Sequence, residues 1–194
     1  MKADKSTIQR LKQLPHLFRT QDAEKIAPHT SVFLYRASRD GLIHRIARGT
    51  YVNLFLYGMP CVEVVACFVK PPAYISCEWA LNYHGVLQQS PYVCSVVTLH
   101  SAVGKERSIS YQGVTLEFSR ISPKLFRDYT TIEGISMASP EKALLDTIYL
   151  HHHVPVPDEL EMERINIRQL ERLSDQYPAA LRSRVKDLVK YYAA

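Results

Sequence analysis

Gly41 separates two incompatible repeat patterns within the stretch SVFLYRASRDGLIHRIARGTYV, residues 31–52. Before it, Phe33, Leu34 and Ala37 recur at a spacing that places apolar side chains on one helical face. After it, the β-prone segments LIHRI and TYVNL are joined through Ala47-Arg48-Gly49, which reads as a short hairpin. A glycine can close a helix in the left-handed conformation, so a helix is expected from Thr30 or Ser31, either of which can cap it, to about Asp40. Upstream, Ile8, Leu11 and Leu14 share a helical face, and Pro15 ends that segment. Thr20 precedes QDAEKIA, a second short capped helix that Pro28 breaks. Three helices followed by a hairpin is the element order of a winged helix-turn-helix domain.

Charge follows the same division. Residues 1–58 carry ten basic and four acidic side chains, a net +6, while the whole chain carries +5, which leaves −1 for the remainder. A basic N-terminal part facing a neutral remainder points to a polyanion partner for the first part only. The expected contacts are the outward residues of the third helix, Ser31, Tyr35, Arg36 and Arg39, and the hairpin residues Arg45 and Arg48. Arginine suits this task because its planar fork pairs with guanine edges or with phosphate oxygens.

After Met59 the texture becomes apolar. CVEVVACFV is a helix or strand stopped by Pro71-Pro72, and Ser76 is placed to cap the helix CEWALNYHGVL, which ends near Gly85. YVCSVVTLH reads as a buried strand, and RSISYQ and VTLEFSRI as strands joined around Gly113. Ser139-Pro140 opens the helix EKALLDTIYL, with proline at its favoured first-turn position. HHHVPVPDELE reads as a linker, and Pro178 separates two closing helices near 166–176 and 179–192. The expected fold is therefore α+β: a winged helix-turn-helix over residues 1–57 and a larger mixed α/β domain over residues 58–194.

Four blocks carry a resemblance to a known family: LPHLFRTQDAEKIA, LYRASRDGLIHRIARGTYV, YISCEWALNYHGV and ISMASPEKALLDTIYL. Together they resemble the AbiEi antitoxins of type IV (AbiE-type) toxin–antitoxin systems. The resemblance implies an N-terminal winged helix that binds double-stranded operator DNA and represses its own operon. It also implies a C-terminal domain tied to antitoxicity, and a cognate nucleotidyltransferase-like toxin countered directly or functionally. Carry-over of DNA contacts is confined to Ser31–Val52, and the tail after about residue 155 matches no named pattern.

Other residue clusters are read against plainer explanations. Glu117, Glu141 and Asp146 are the acids a metal-dependent nuclease would use, but Glu141 is explained as a favourable charge at a helix start. His84 precedes Gly85, a position that suits a helix C-terminus. His151-His152-His153 is read as a linker edge, because consecutive histidines converge on one ion less readily than an i, i+4 pair. Cys61, Cys67, Cys77 and Cys94 form no CxxC pair, so zinc is not expected; three of the four lie in strongly apolar surroundings and read as buried free thiols. No phosphate-cradling glycine cluster and no Walker, GxSxG or HExxH motif occurs. The chain is thus expected to have no catalytic residues, no cofactor and no metal. Apolar stripes near the C-terminus (Ile165, Ile167, Leu170 and Leu173, then Leu181, Val185, Leu188 and Val189) are expected to be core, with the flanking arginines and lysines as an alternative basic nucleic-acid surface. The opening residues lack the apolar core of a signal peptide, and no run approaches the roughly 20 apolar residues of a membrane span. A cytoplasmic protein with no membrane partner is expected. The competing reading is a stand-alone winged-helix regulator whose C-terminal domain senses a ligand or dimerises.

Overall fold

The computed structural model describes residues 5–104, 107–151 and 155–193. It is a mixed α+β chain that separates into two compact units, Met1–Val69 and Lys70–Ala194.

The first unit contains α1 (Lys5–Leu11), β1 (Leu17–Arg19), α2 (Thr20–Glu24), α3 (Thr30–Arg39), β2 (Ile43–Ala47), β3 (Thr50–Asn53) and α4 (Val62–Val69). Its antiparallel sheet has the order β1-β3-β2. Leu11, Leu14, Phe18, Ala23, Ala27, Phe33, Leu34, Ala37 and Ile43 form one core, so each of the first three helices contributes its apolar face to the same cluster. Phe18, fully buried, stacks on Tyr51 across the β1–β3 pair at 5.4 Å. Burial of such a side chain is worth about 1.5–3 kcal/mol. Gly41 adopts φ +70° immediately after α3, the left-handed position that lets the chain turn into β2.

The local caps differ from expectation. The residue before α3 is His29, and the Thr30 hydroxyl donates instead to the Ala27 carbonyl at 2.8 Å. Arg19 precedes α2, and its backbone N–H donates to the Asp22 carboxylate at 2.9 Å, which holds that carboxyl below its usual range. The Arg19 guanidinium reaches the opposite end of the unit. It donates to the carbonyls of Phe68 (2.8 Å) and Val69 (3.3 Å) at the C-terminus of α4, where a cation also meets the negative end of the helix dipole. The division between units therefore falls at Val69 and Lys70, whereas the sequence expectation placed it between residues 57 and 58. The excess of basic residues stops before the packing does.

The second unit contains β4 (Ala73–Ser76), α5 (Cys77–Tyr83), β5 (Val93–Thr98), β6 (Ser108–Tyr111), β7 (Val114–Arg120), β8 (Tyr129–Ile132), β9 (Ile135–Ala138), α6 (Pro140–Asp146), α7 (Ile167–Ser174) and α8 (Ala179–Ala193). Its six-stranded sheet has the order β6-β7-β5-β4-β9-β8. The pairs β5–β7 and β4–β9 are parallel and the others antiparallel. Both hairpins turn through two residues of positive φ: Gln112 and Gly113 at 49° and 81°, then Glu133 and Gly134 at 50° and 82°. That is the turn geometry whose twist matches the flanking strands. A π-helical turn, Thr147–His151, extends α6.

Ser139-Pro140 opens α6 as expected, with Pro140 in the first turn, and the Ser139 side chain caps it by accepting from the Lys142 N–H. Ser76 stands before α5 but makes no cap. Its hydroxyl donates to the buried Asp146 carboxylate at 2.8 Å. Every residue of α6 from Glu141 to Asp146 is buried, and the helix packs against α5 and α7.

Candidate nucleic-acid interface

Helix α3 is presented by its own amphipathicity. Phe33, Leu34 and Ala37 anchor it in the core, and this turns Ser31, Tyr35, Arg36 and Arg39 outward, all of them exposed. At roughly 100° per residue, Tyr35 and Arg39 stand near the middle of the outer face and Arg36 on one flank. Ser31 and Ser38 lean to the other side. There they join Tyr35, Thr20, Tyr51 and Arg45 in lining an open cleft of about 480 Å³ between α3 and the hairpin.

Arg45 and Arg48 are exposed on the hairpin as expected. The register shifts between Arg45 and Ala47, and the Arg45 guanidinium folds back to donate to the Ala47 carbonyl at 3.3 Å. Arg39 pairs with Asp40 at 3.2 Å. The Arg39 side chain is half-exposed, whereas that of Asp40 is 14% exposed. Arg36 and Arg48 make no hydrogen bond or ion pair to the described residues.

The six expected contact residues thus fall into two sets. Ser31, Tyr35 and Arg45 share one cleft, while Arg36, Arg39 and Arg48 project from the surface outside its lining. Among the lining residues that sequence reasoning did not name as contacts are Thr20, Ser38, Tyr51 and the acidic Glu24. Ser38 was within reach, since it lies seven residues after Ser31 and therefore on the same helical face.

The acids considered for metal chemistry each hold a different partner. Glu117 pairs with Arg107 at 2.7 Å, and Glu141, buried, accepts the Asn166 N–H at 2.9 Å. Asp146 is fully buried against Lys142, Tyr74, Ser76 and Tyr177. Burial, reinforced by the Asp146 charge, pushes the phenols of Tyr74 and Tyr177 far up, so both act as donors. His84 bonds through its ring to the Ala138 carbonyl at 2.8 Å, tying the end of α5 to β9. His151 pairs with Glu78 at 3.1 Å, and His152 and His153 lie outside the described residues. Of the expected apolar stripes, Ile165, Leu170, Leu173, Leu181, Val185 and Leu188 are core, while Ile167 and Val189 are half-buried at its edge. Arg168, Arg172, Arg182 and Lys186 line a second open cleft between these two helices, interspersed with Glu171 and Asp175.

Among the described residues no helix is long and apolar enough to cross a membrane. No family model matches the chain, and no curated protein matches it. A crystal structure of the RV2827C protein from Mycobacterium tuberculosis is similar in fold. The two share a TM-score of 0.62 at 11% identity, over 95% of this chain and 74% of that one. At that identity the likeness concerns fold alone.

Proposed function

We propose that the chain is an AbiEi-like antitoxin whose first unit is a winged helix-turn-helix that binds operator DNA and represses its own operon. In this reading α3 is the recognition helix and the β2–β3 hairpin is the wing. The observation that carries it is the outer face of α3, where Tyr35, Arg36 and Arg39 are exposed on a helix whose inner face is locked in the core. A recognition helix needs that combination of rigid seating and outward donors. The four sequence blocks support the antitoxin assignment. The second unit is then the part that counters a nucleotidyltransferase-like toxin, in the cytoplasm, and no catalytic role is assigned to it.

The double substitution Arg36→Ala/Arg39→Ala tests this. Gel shifts with operator and scrambled duplexes should show a loss of about 2–6 kcal/mol if both side chains read bases, since each good bidentate contact discriminates by about 1–3 kcal/mol. If both touch only phosphates, the loss is smaller and uniform across sequences. Protection of cells expressing the toxin should persist. A folded double mutant that represses like the wild type would place the interface elsewhere.

A further inference from the structure

Three unlike donor groups converge at the start of α5. Cys77 and Glu78 are its first two residues, and His151 closes the π-helical turn that follows α6. The Cys77 sulfur, a Glu78 carboxylate oxygen and a His151 ring nitrogen all lie within 4.8 Å of one another. We propose that Cys77, Glu78 and His151 form a zinc site, with solvent supplying the remaining ligand.

The chemistry of the donor set selects the ion. Thiolate and imidazole are poor ligands for magnesium and calcium, which take oxygen, whereas zinc takes sulfur, nitrogen and carboxylate oxygen together. Zinc–ligand bonds of about 2.0–2.3 Å in a tetrahedral site place neighbouring ligand atoms about 3.3–3.6 Å apart. The His151–Glu78 edge already measures 3.1 Å, so those two ligands need to open only slightly. The sulfur, at no more than 4.8 Å from either, needs to close by at most about 1.2 Å. One thiolate and one carboxylate would offset the charge of a divalent ion, with the imidazole neutral.

Access and rigidity also fit. Cys77 is fully buried, while the side chains of Glu78 and His151 are each 26% exposed, so two of the three ligands meet solvent. Cys77 has φ 53°, a left-handed conformation uncommon for a residue with a side chain. It is set there by the junction between β4 and α5. Burial and the nearby Asp146 charge push the free thiol well up, so zinc uptake forms the Zn–S bond and releases the thiol proton to solvent. Once bound, the ion would staple the beginning of α5 to the end of the α6 extension, segments 73 residues apart in sequence. The pattern escapes motif reading because two ligands are adjacent and the third is remote.

The test uses the full-length protein, stripped with a chelator and titrated with cobalt(II), which reports sulfur ligation by a thiolate-to-cobalt charge-transfer absorption. The wild type should bind one equivalent with that absorption, and zinc should displace the cobalt and raise Tm. Cys77→Ser should abolish the absorption, and Cys61→Ser should leave it intact. Glu78→Gln and His151→Gln should each weaken cobalt binding by about tenfold or more. They also decide the question if Cys77→Ser does not fold, because unchanged affinity in both would overturn the site. Cobalt bound without the charge-transfer absorption, as at the consecutive histidines alone, would overturn it. So would an absorption that survives Cys77→Ser, or no stoichiometric uptake by the wild type.

Discussion

Asn53, at the end of β3, does work that its place in a β-prone segment does not announce. Fully buried, it donates its side-chain amide to the carbonyl of Leu11 (2.8 Å), which also accepts the Leu14 N–H (3.2 Å), and to the carbonyl of Leu14 (3.2 Å), just past the end of α1. Its own side-chain oxygen is buried without a partner among the described residues. Removing the amide takes one of two donors from the Leu11 carbonyl and strands the Leu14 carbonyl, so Asn53→Ala should destabilise the first unit by about 1–3 kcal/mol. Hydrogen exchange of the β1–β3 amides measures this without requiring the whole chain to melt in one step. A change below about 0.5 kcal/mol, the range of an ordinary surface substitution, would contradict the assigned role. The surface arginines of α3 present the opposite case. Arg36 and Arg39 were legible from helical spacing alone, because exposure opposite an apolar face is a local property.

At the scale of the element, α6 depends on a charge pair inside the protein. Lys142 and Asp146 are one helical turn apart, and both are inaccessible to solvent. Lys142 also donates to the Tyr177 hydroxyl at 2.7 Å and lies over the rings of Tyr74 and Tyr177. Asp146 additionally accepts from Tyr74 (3.0 Å), Ser76 (2.8 Å) and Tyr177 (3.1 Å). The network joins α6 to β4 and to the segment preceding α8. Two buried charges are costly together and far more costly apart. Lys142→Met should therefore cost about 3–5 kcal/mol, and adding Asp146→Leu should restore part of the loss. A double-mutant cycle from urea unfolding measures the coupling. Additive losses would mean that the pair is not coupled. The start of α6 was legible from Ser139-Pro140 and its acidic first turn. Its burial on all sides was not, because charged side chains such as Lys142 and Asp146 are rarely buried unless paired, and spacing alone does not show that pairing.

For the whole molecule, the position of the division between units decides which fragments are stable. His16 bonds to the Gly58 carbonyl at 2.7 Å, and Arg19 ties the α4 carbonyls into the same unit. A fragment of residues 1–69 should fold and bind duplex DNA, and it should melt at a higher temperature than a fragment of residues 1–57. Circular dichroism melts compare the two, and equal melting temperatures would show that α4 adds nothing. Binding by the longer fragment should weaken steeply with salt, with a slope in log K against log salt of about −0.9 per phosphate contacted.

By itself the sequence determined what neighbouring residues settle among themselves. The breaks at Pro15, Pro28 and Gly41, the inner face of α3, the basic hairpin, the turn at Gly113, the Ser139 cap and the apolar stripes of α7 and α8 all arise from spacing, backbone restriction and local charge. The tertiary structure alone decided what depends on a distant partner. β1 is a strand of three residues that exists by pairing with β3, and β4 lies between β5 and β9. The β8–β9 hairpin carried a signal in Glu133-Gly134 that was open to reading, but its place at the sheet edge was not. Parallel pairing, the Asp146 network and the meeting of Cys77 with His151 join residues far apart in the chain. No spacing rule reaches that far, because such contacts form only when the chain's larger gain from burying its core brings those segments together.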